Sequence, residues 1–139
     1  MLLSKVIRRT FSTGSLFTWG ETTHGWGRPV NNQYFTPGAV EGANQVVQVS
    51  AGQYHLGFIT KDNSVFTTGL NEDGQLGLAG ESVAPRKISL DGKVNCISCG
   101  TRHSLALTHD GAVYSWGYSK AVGREGDAST PTRIPQEAF

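Results

Sequence analysis

With 139 residues the chain has room for one small domain or a piece of a larger architecture, and two full domains are excluded. Its 12 Lys and Arg stand against 11 Asp and Glu, a net charge of +1 that lacks the basic surplus of a phosphate-binding surface. Glycine, at 18 residues, is well above common usage and points to a β protein of many tight turns, and no apolar run approaches the ~18 residues of a membrane-spanning helix.

The first element in chain order is a leader. Residues 1–15 contain Lys5, Arg8 and Arg9 and no acid, whereas the rest of the chain carries nine basic and eleven acidic side chains. Projected at about 100° per residue, Leu2, Leu3, Val6, Ile7 and Phe11 fall on one half of a helix and the three cations on the other. A short amphipathic helix that is rich in Ser and Thr and free of acid has the composition of a mitochondrial transit peptide. Arg9-Thr10-Phe11-Ser12 also resembles a site cut two residues after an arginine. The basic face would respond to the inner-membrane potential and the apolar face would sit in an import receptor, so Lys5, Arg8 and Arg9 are the targeting residues.

After the leader comes an internal repeat. Moving residues 46–69 forward by 48 places VVQVSAGQYHLGFITKDNSVFTTG over VNCISCGTRHSLALTHDGAVYSWG, with eight of 24 positions identical. Gly52, His55 and Gly69 recur as Gly100, His103 and Gly117. LFTWG at 16–20 matches VFTTG at 65–69 and VYSWG at 113–117, Gly20 and Gly25 parallel Gly69 and Gly74, and Pro37 and Pro85 are again 48 apart. The units run 16–63, 64–111 and 112–139. The repeated runs predict strands at 46–51, 55–60 and 65–68, and again at 94–99, 103–108 and 113–116. Each is rich in β-branched or aromatic residues, and the connectors Gly52-Gln53, Asp62-Asn63, Gly100-Thr101 and Asp110-Gly111 carry turn formers. The unit is an antiparallel meander of propeller-blade size.

Three stretches then carry a family resemblance. Tyr114-Ser115-Trp116-Gly117, the loop Gly69-Leu70-Asn71-Glu72-Asp73-Gly74-Gln75-Leu76-Gly77, and the run from Ser98 to Thr108 resemble repeats of the regulator of chromosome condensation family. The resemblance covers roughly residues 16–135. It implies an all-β, seven-bladed propeller, and 124 residues after the leader supply about two and a half blades where a closed ring needs about 340. This is therefore expected to be an incomplete propeller whose outer blades present uncovered faces. Gly20, Gly52, His55, Gly69, Gly74, Gly77, Gly100, His103, Trp116 and Gly117 are the structural residues of the repeat.

Cys96-Ile97-Ser98-Cys99 followed by His103 is the one arrangement that offers zinc or redox chemistry. Cys96 and Cys99 replace Gln48 and Ala51 of the preceding unit, so the site does not repeat, and strand residues are the favoured reading. His55 and His103 recur as scaffold and are expected to bond backbone within their own blades. Trp19, Trp26 and Trp116 are expected to pack between blades, with Trp26 the most exposed. No catalytic residue, cofactor or metal is assigned.

The expectation is a non-catalytic accessory subunit of a large mitochondrial complex, in the matrix or on the matrix side of the inner membrane, and a respiratory-chain or ATP-synthase assembly leads. Subunits of that assembly would cover the open blade faces, with no direct nucleic acid and with membrane reached only through the complex. The alternatives are a mitochondrial ribosome-associated protein and, as the resemblance implies, a guanine-nucleotide exchange factor for a small GTPase.

Overall fold

The computed structural model describes residues 5–7, 14–22, 26–29 and 31–138. The strands are β1 (Lys5–Ile7), β2 (Ser15–Thr22), β3 (Asn31–Ala39), β4 (Val46–Ala51), β5 (His55–Thr60), β6 (Val65–Gly69), β7 (Ser82–Ile88), β8 (Val94–Cys99), β9 (His103–Thr108), β10 (Val113–Gly117) and β11 (Thr132–Arg133). A 3-10 turn follows at Gln136–Ala138. They form three sheets in the orders β1-β2-β3, β4-β5-β6-β7 and β8-β9-β10-β11, every strand antiparallel to its neighbour in sequence. The fold is all-β. The six strands predicted from the repeat lie at their predicted places, with β6 and β10 each one residue longer than expected.

The fourth strands carried no signal in the sequence, for a physical reason. β7, SVAPRKI, is exposed at most of its positions, and its proline sits in the edge strand of the sheet, where a missing N–H costs no ladder bond. Pro37 occupies β3, the edge strand of the first sheet. The leader departs from expectation outright. Lys5–Ile7 is not helical but extended, pairing Lys5 with Phe17, Val6 with Leu16 and Ile7 with Ser15. An amphipathic projection of a short stretch cannot exclude a strand when the edge of β2 offers unpaired backbone donors and acceptors and the segment holds β-branched Val6 and Ile7. Arg8 and Arg9 lie outside the described residues.

Two apolar cores lie between the sheets. The first joins Leu16, Trp26, Val40 and Ala43 to Val46, Leu56 and Phe58, with the Phe58 and Phe66 rings stacked at 5.2 Å. The second joins Ile59, Val65 and Ile88 to Val94, Ile97, Ala106, Ala112, Tyr114 and Trp116. Alternation explains the division. On β5, Leu56 and Phe58 point to the first sheet while His55, Gly57 and Ile59 point to the third. Trp26, expected to be the exposed tryptophan, is 2% exposed and belongs to the first core. A positive φ of 30° at Trp26 and 77° at Gly27 turns the loop inward there.

The repeat glycines divide into two physical classes. Gly20, Gly69 and Gly117 stand at equivalent positions of β2, β6 and β10 with φ of 105°, 118° and 111°, and the last two end their strands. A Cβ on Gly69 would also lie 2.6 Å from the Tyr54 carbonyl oxygen. Gly52 and Gly100 have no such φ and are glycine because of close approach: a Cβ on Gly52 would collide with the Gly100 carbonyl oxygen of the next sheet, and one on Gly100 with the His103 ring. Gly69→Ala and Gly100→Val should each lower stability by roughly 1–3 kcal/mol, measured by urea unfolding. Gly80→Ala, at a φ of 75° with no atom within 4 Å of its Cβ, should fall below both. Equal losses at all three positions would refute the assignment of close approach.

Candidate interaction site

A buried network of polar side chains runs along the seam between the second and third sheets. Gln48 in β4 brackets the backbone of β8: its Oε1 accepts from Ile97 N at 2.8 Å and its Nε2 donates to Ile97 O at 3.1 Å. One turn of the pleat away, Cys99 N donates to Ser50 Oγ at 2.9 Å. At the centre, His55 and Ser104 meet at 2.7 Å with both residues 0% exposed. Ser104 Oγ donates to the carbonyl of Gln75 at 3.0 Å, and Trp116 Nε1 donates to the same oxygen at 2.9 Å.

This geometry assigns the protons. A hydroxyl has one hydrogen. Since Ser104 spends it on Gln75, His55 Nε2 carries the donor and His55 Nδ1 is a bare acceptor, which agrees with its lacking a partner. Burial, and then the nearby His103, push His55 down from 6.5 to about 4, so the ring is neutral. The expectation that His55 bonds backbone in its own blade is corrected: it crosses the seam to a side chain.

The other sequence-predicted residues take their places around this centre. Gly74 and Gly77 belong to the loop after β6, where a Cβ would press on Ser129 and on Pro131 and Trp116. Trp116 is 0% exposed. Cys96 is half-buried and its Sγ accepts from Gln48 Nε2 at 3.3 Å, while burial pushes the Cys99 thiol up to about 11. A thiol held protonated in that way is a poor metal ligand or nucleophile. No group of three His, Cys, Asp or Glu able to hold a metal ion occurs among the described residues. Gly25 lies outside them.

Sequence reasoning missed Ser104, because the repeat places Leu56 at the equivalent position. It also missed Gln48, whose equivalent is Cys96. Gln75 was visible only as a member of the glycine-rich loop. At the rim of the seam, Arg102 pairs with Asp73 at 3.2 Å and lies 5.7 Å from the Tyr54 ring centre. Beside them opens a groove of about 540 Å³ lined by Asn71, Glu72, Asp73, Tyr118, Ser129 and Thr130. Tyr118 there is 38% exposed.

Comparison with known proteins places this seam in a family context. The family model for the regulator of chromosome condensation (RCC1) repeat matches residues 13–59 and 62–107. The chain is 36% identical over 130 residues to the human probable E3 ubiquitin-protein ligase HERC6, covering 86% of this chain and 12% of that protein. It is 28% identical over 130 residues to the ultraviolet-B receptor UVR8 of Arabidopsis thaliana, covering 86% and 30%. With the human regulator of chromosome condensation the identity is 38% over 85 residues, covering 58% and 20%. Among solved structures, human WBSCR16 superposes with a TM-score of 0.78 at 22% identity, covering 96% of this chain and 38% of the other. Yeast RCC1 (Prp20), solved bound to Kap60, superposes with a TM-score of 0.76 at 20% identity, covering 91% and 36%. The three sheets are thus blades of a partial β-propeller, and the chain spans less than a third of the curated relatives it matches.

Acid should loosen the seam. Between about pH 6.5 and 4 the unfolded chain binds a proton on His55 that the folded chain refuses, so stability is full above that window and falls as pH is lowered through it, by roughly 3 kcal/mol in all. Asp62, Asp110 and Asp127, held low first by bonds from Thr60, Thr108 and Ser129 respectively, titrate below their ordinary range and add their own loss at lower pH. Urea midpoints of the unmodified chain and of His55→Gln across this range separate the two. An unchanged slope in His55→Gln would refute the assignment. Cys96→Ser combined with Cys99→Ala should be mild, since Ala51 already fills the equivalent of Cys99.

Proposed function

This chain belongs to the RCC1 repeat family, and from that premise we propose that it is a protein-binding module without turnover of its own. The observation that carries the proposal is where its polar groups are spent. The pair nearest to a nucleophile and its base, Ser104 and His55, is 0% exposed and holds two blades together, out of reach of any substrate. What faces outward is a rim of loops with an acidic groove beside the 38% exposed Tyr118, a residue type enriched at protein contacts.

Two finer readings divide the proposal. Guanine-nucleotide exchange on a small GTPase is the activity that the family resemblance implies, and an accessory place in a mitochondrial assembly is the other. The relatives favour the first, reversing the order expected from the sequence: Prp20p is described by its binding properties to Gsp1p and histones, and its complex with Kap60 is a further protein partnership. Titrating the chain into a small GTPase loaded with a fluorescent nucleotide tests the proposal. Binding is expected, weakened about tenfold by Tyr118→Ala. Accelerated nucleotide release adds exchange activity. No binding to the GTPase, to histones or to any protein of a mitochondrial extract would refute the module reading.

For localisation we propose mitochondria, supported by the acid-free leader with Lys5, Arg8 and Arg9. Residues 1–20 fused to a fluorescent protein should enter the organelle, and exchanging Arg8 and Arg9 for Glu should prevent it. A diffuse or nuclear signal from the unmodified leader would overturn the assignment.

A further inference from the structure

The outer strand of every sheet bulges at the same place. Gly20 pairs with Tyr34 and Thr18 with Gly38 in the first sheet, and Gly69 with Ser82 and Thr67 with Arg86 in the second, so a four-residue step of the outer strand opposes a two-residue step of its neighbour. In the third sheet Ser115 pairs with Thr132 and Gly117 N donates to the Ala128 carbonyl, which repeats the bulge. That register makes Thr36-Pro37, Ala84-Pro85 and Thr130-Pro131 equivalent. Thr36, Ala84 and Thr130 are all exposed. Ala84 belongs to the sheet that packs against a neighbour on either side, so the exposure comes with the position and owes nothing to the ends of the chain. The chain has five prolines, and the other two follow Arg28 and Ile134, so both of its Thr-Pro dipeptides stand in these bulges.

An arginine accompanies each threonine. Arg28 Nη1 donates to the Thr18 carbonyl at 3.0 Å, and a Cβ on Gly38, two residues from Thr36, would fall on its guanidinium. Arg124 Nη2 donates to the Ser115 carbonyl at 3.0 Å and to that of Thr130 at 3.2 Å. Thr18 and Ser115 are equivalent, so the two arginines make the same bond. The second sheet, with alanine in its bulge, fills that place otherwise: Thr67 Oγ1 donates to the Leu76 carbonyl at 2.7 Å, and Arg86 turns to that of Ala79 at 2.9 Å. We propose that Thr36 and Thr130 are phosphorylated by a proline-directed protein kinase and that Arg28 and Arg124 receive the phosphates. The threonine Oγ attacks the γ-phosphorus of ATP, the bond from that phosphorus to the β–γ bridging oxygen breaks, ADP leaves, and the hydroxyl proton passes to the kinase. A phosphothreonine beside a guanidinium gains charge-assisted hydrogen bonds that the bare hydroxyl lacks. The two sites differ in one respect. Thr130 Oγ1 donates to Asp127 Oδ2 at 3.5 Å, and Asp127 Oδ1 accepts from Ser129 N at 2.8 Å and Ser129 Oγ at 2.7 Å. A phosphate on Thr130 therefore meets a carboxylate as well as Arg124, and it loosens that turn beside the groove that holds Glu72 and Asp73. Neither site depends on what the groove binds.

Incubating the folded 139-residue chain with a cyclin-dependent kinase and ATP, and measuring its intact mass, tests the proposal. Two phosphoryl groups are expected, one lost in Thr36→Ala, one in Thr130→Ala and both in the double variant. These variants keep the bulge, because alanine already stands there in the second sheet. Ala84→Thr should accept a third group. Phosphorus NMR should show the Thr36 phosphate of the folded chain titrating below that of a phosphorylated peptide of residues 30–42, which lacks Arg28. A folded chain that takes up no phosphate, modification that survives the double variant, an Ala84→Thr chain that gains nothing, or a phosphate that titrates alike in chain and peptide would each overturn it.

Discussion

A single carbonyl oxygen organises the seam. The oxygen of Gln75 accepts from Ser104 and Trp116, two residues of adjacent strands in the third sheet, while belonging to a loop of the second. Both lone pairs are used, and both donors would be orphaned in an apolar core without it. Removing the acceptor would strand a hydroxyl and an indole N–H together, which is why the loop from Gly69 to Gly77 must keep one conformation. Asn71 enforces that conformation, its Oδ1 accepting from Leu76 N at 2.9 Å and its Nδ2 donating to Leu78 O at 2.5 Å. The glycines of the loop let its backbone come close enough to the third sheet for the bonds to form. His55 closes the chain of donors from the other side.

How much of this could be read from the sequence depends on whether a feature repeats. Strands β4 to β6 and β8 to β10 were legible because hydrophobic alternation and turn residues return at a spacing of 48. Gly69 and Gly117 were legible for the same reason. β3 and β7 were not, since the edge position lets them hold Pro37 and Pro85 without losing a ladder bond, and the exposed charges of β7 read as loop. The seam was the least legible part. It pairs His55, which repeats, with Ser104, which does not, and Gln48 with a backbone rather than a side chain. Trp26 was misplaced because a tryptophan between glycines reads as a loop tip, whereas the positive φ values there fold the loop over Val40 and bury the ring.

The acidic end of the pH range and the apolar seam are linked by the same desolvation. A neutral imidazole costs little to bury and a charged one a great deal, and among the described residues no carboxylate bonds His55 to offset a charge there, while the nearby His103 disfavours one further. The arrangement therefore holds while the His55 ring is neutral.

The sequence repeat and the sheets are out of phase, and this decides how the blades stay together. The stretch from 64 to 111 contributes β6 and β7 to one sheet and β8 and β9 to the next, and the family model breaks near the same points, between 59 and 62. This repeat thus carries the loop with Gln75 and also the β9 strand with Ser104 that bonds it, while the second donor, Trp116, comes from the next unit. A repeat in phase with its sheet would have to find its acceptor in a neighbouring repeat. Here the linker from β7 to β8 ties Ser104 to Gln75 at a separation of 29 residues, so closing that bond costs less chain entropy than the His55–Ser104 contact at 49. The consequence is a chain that assembles its internal seam readily.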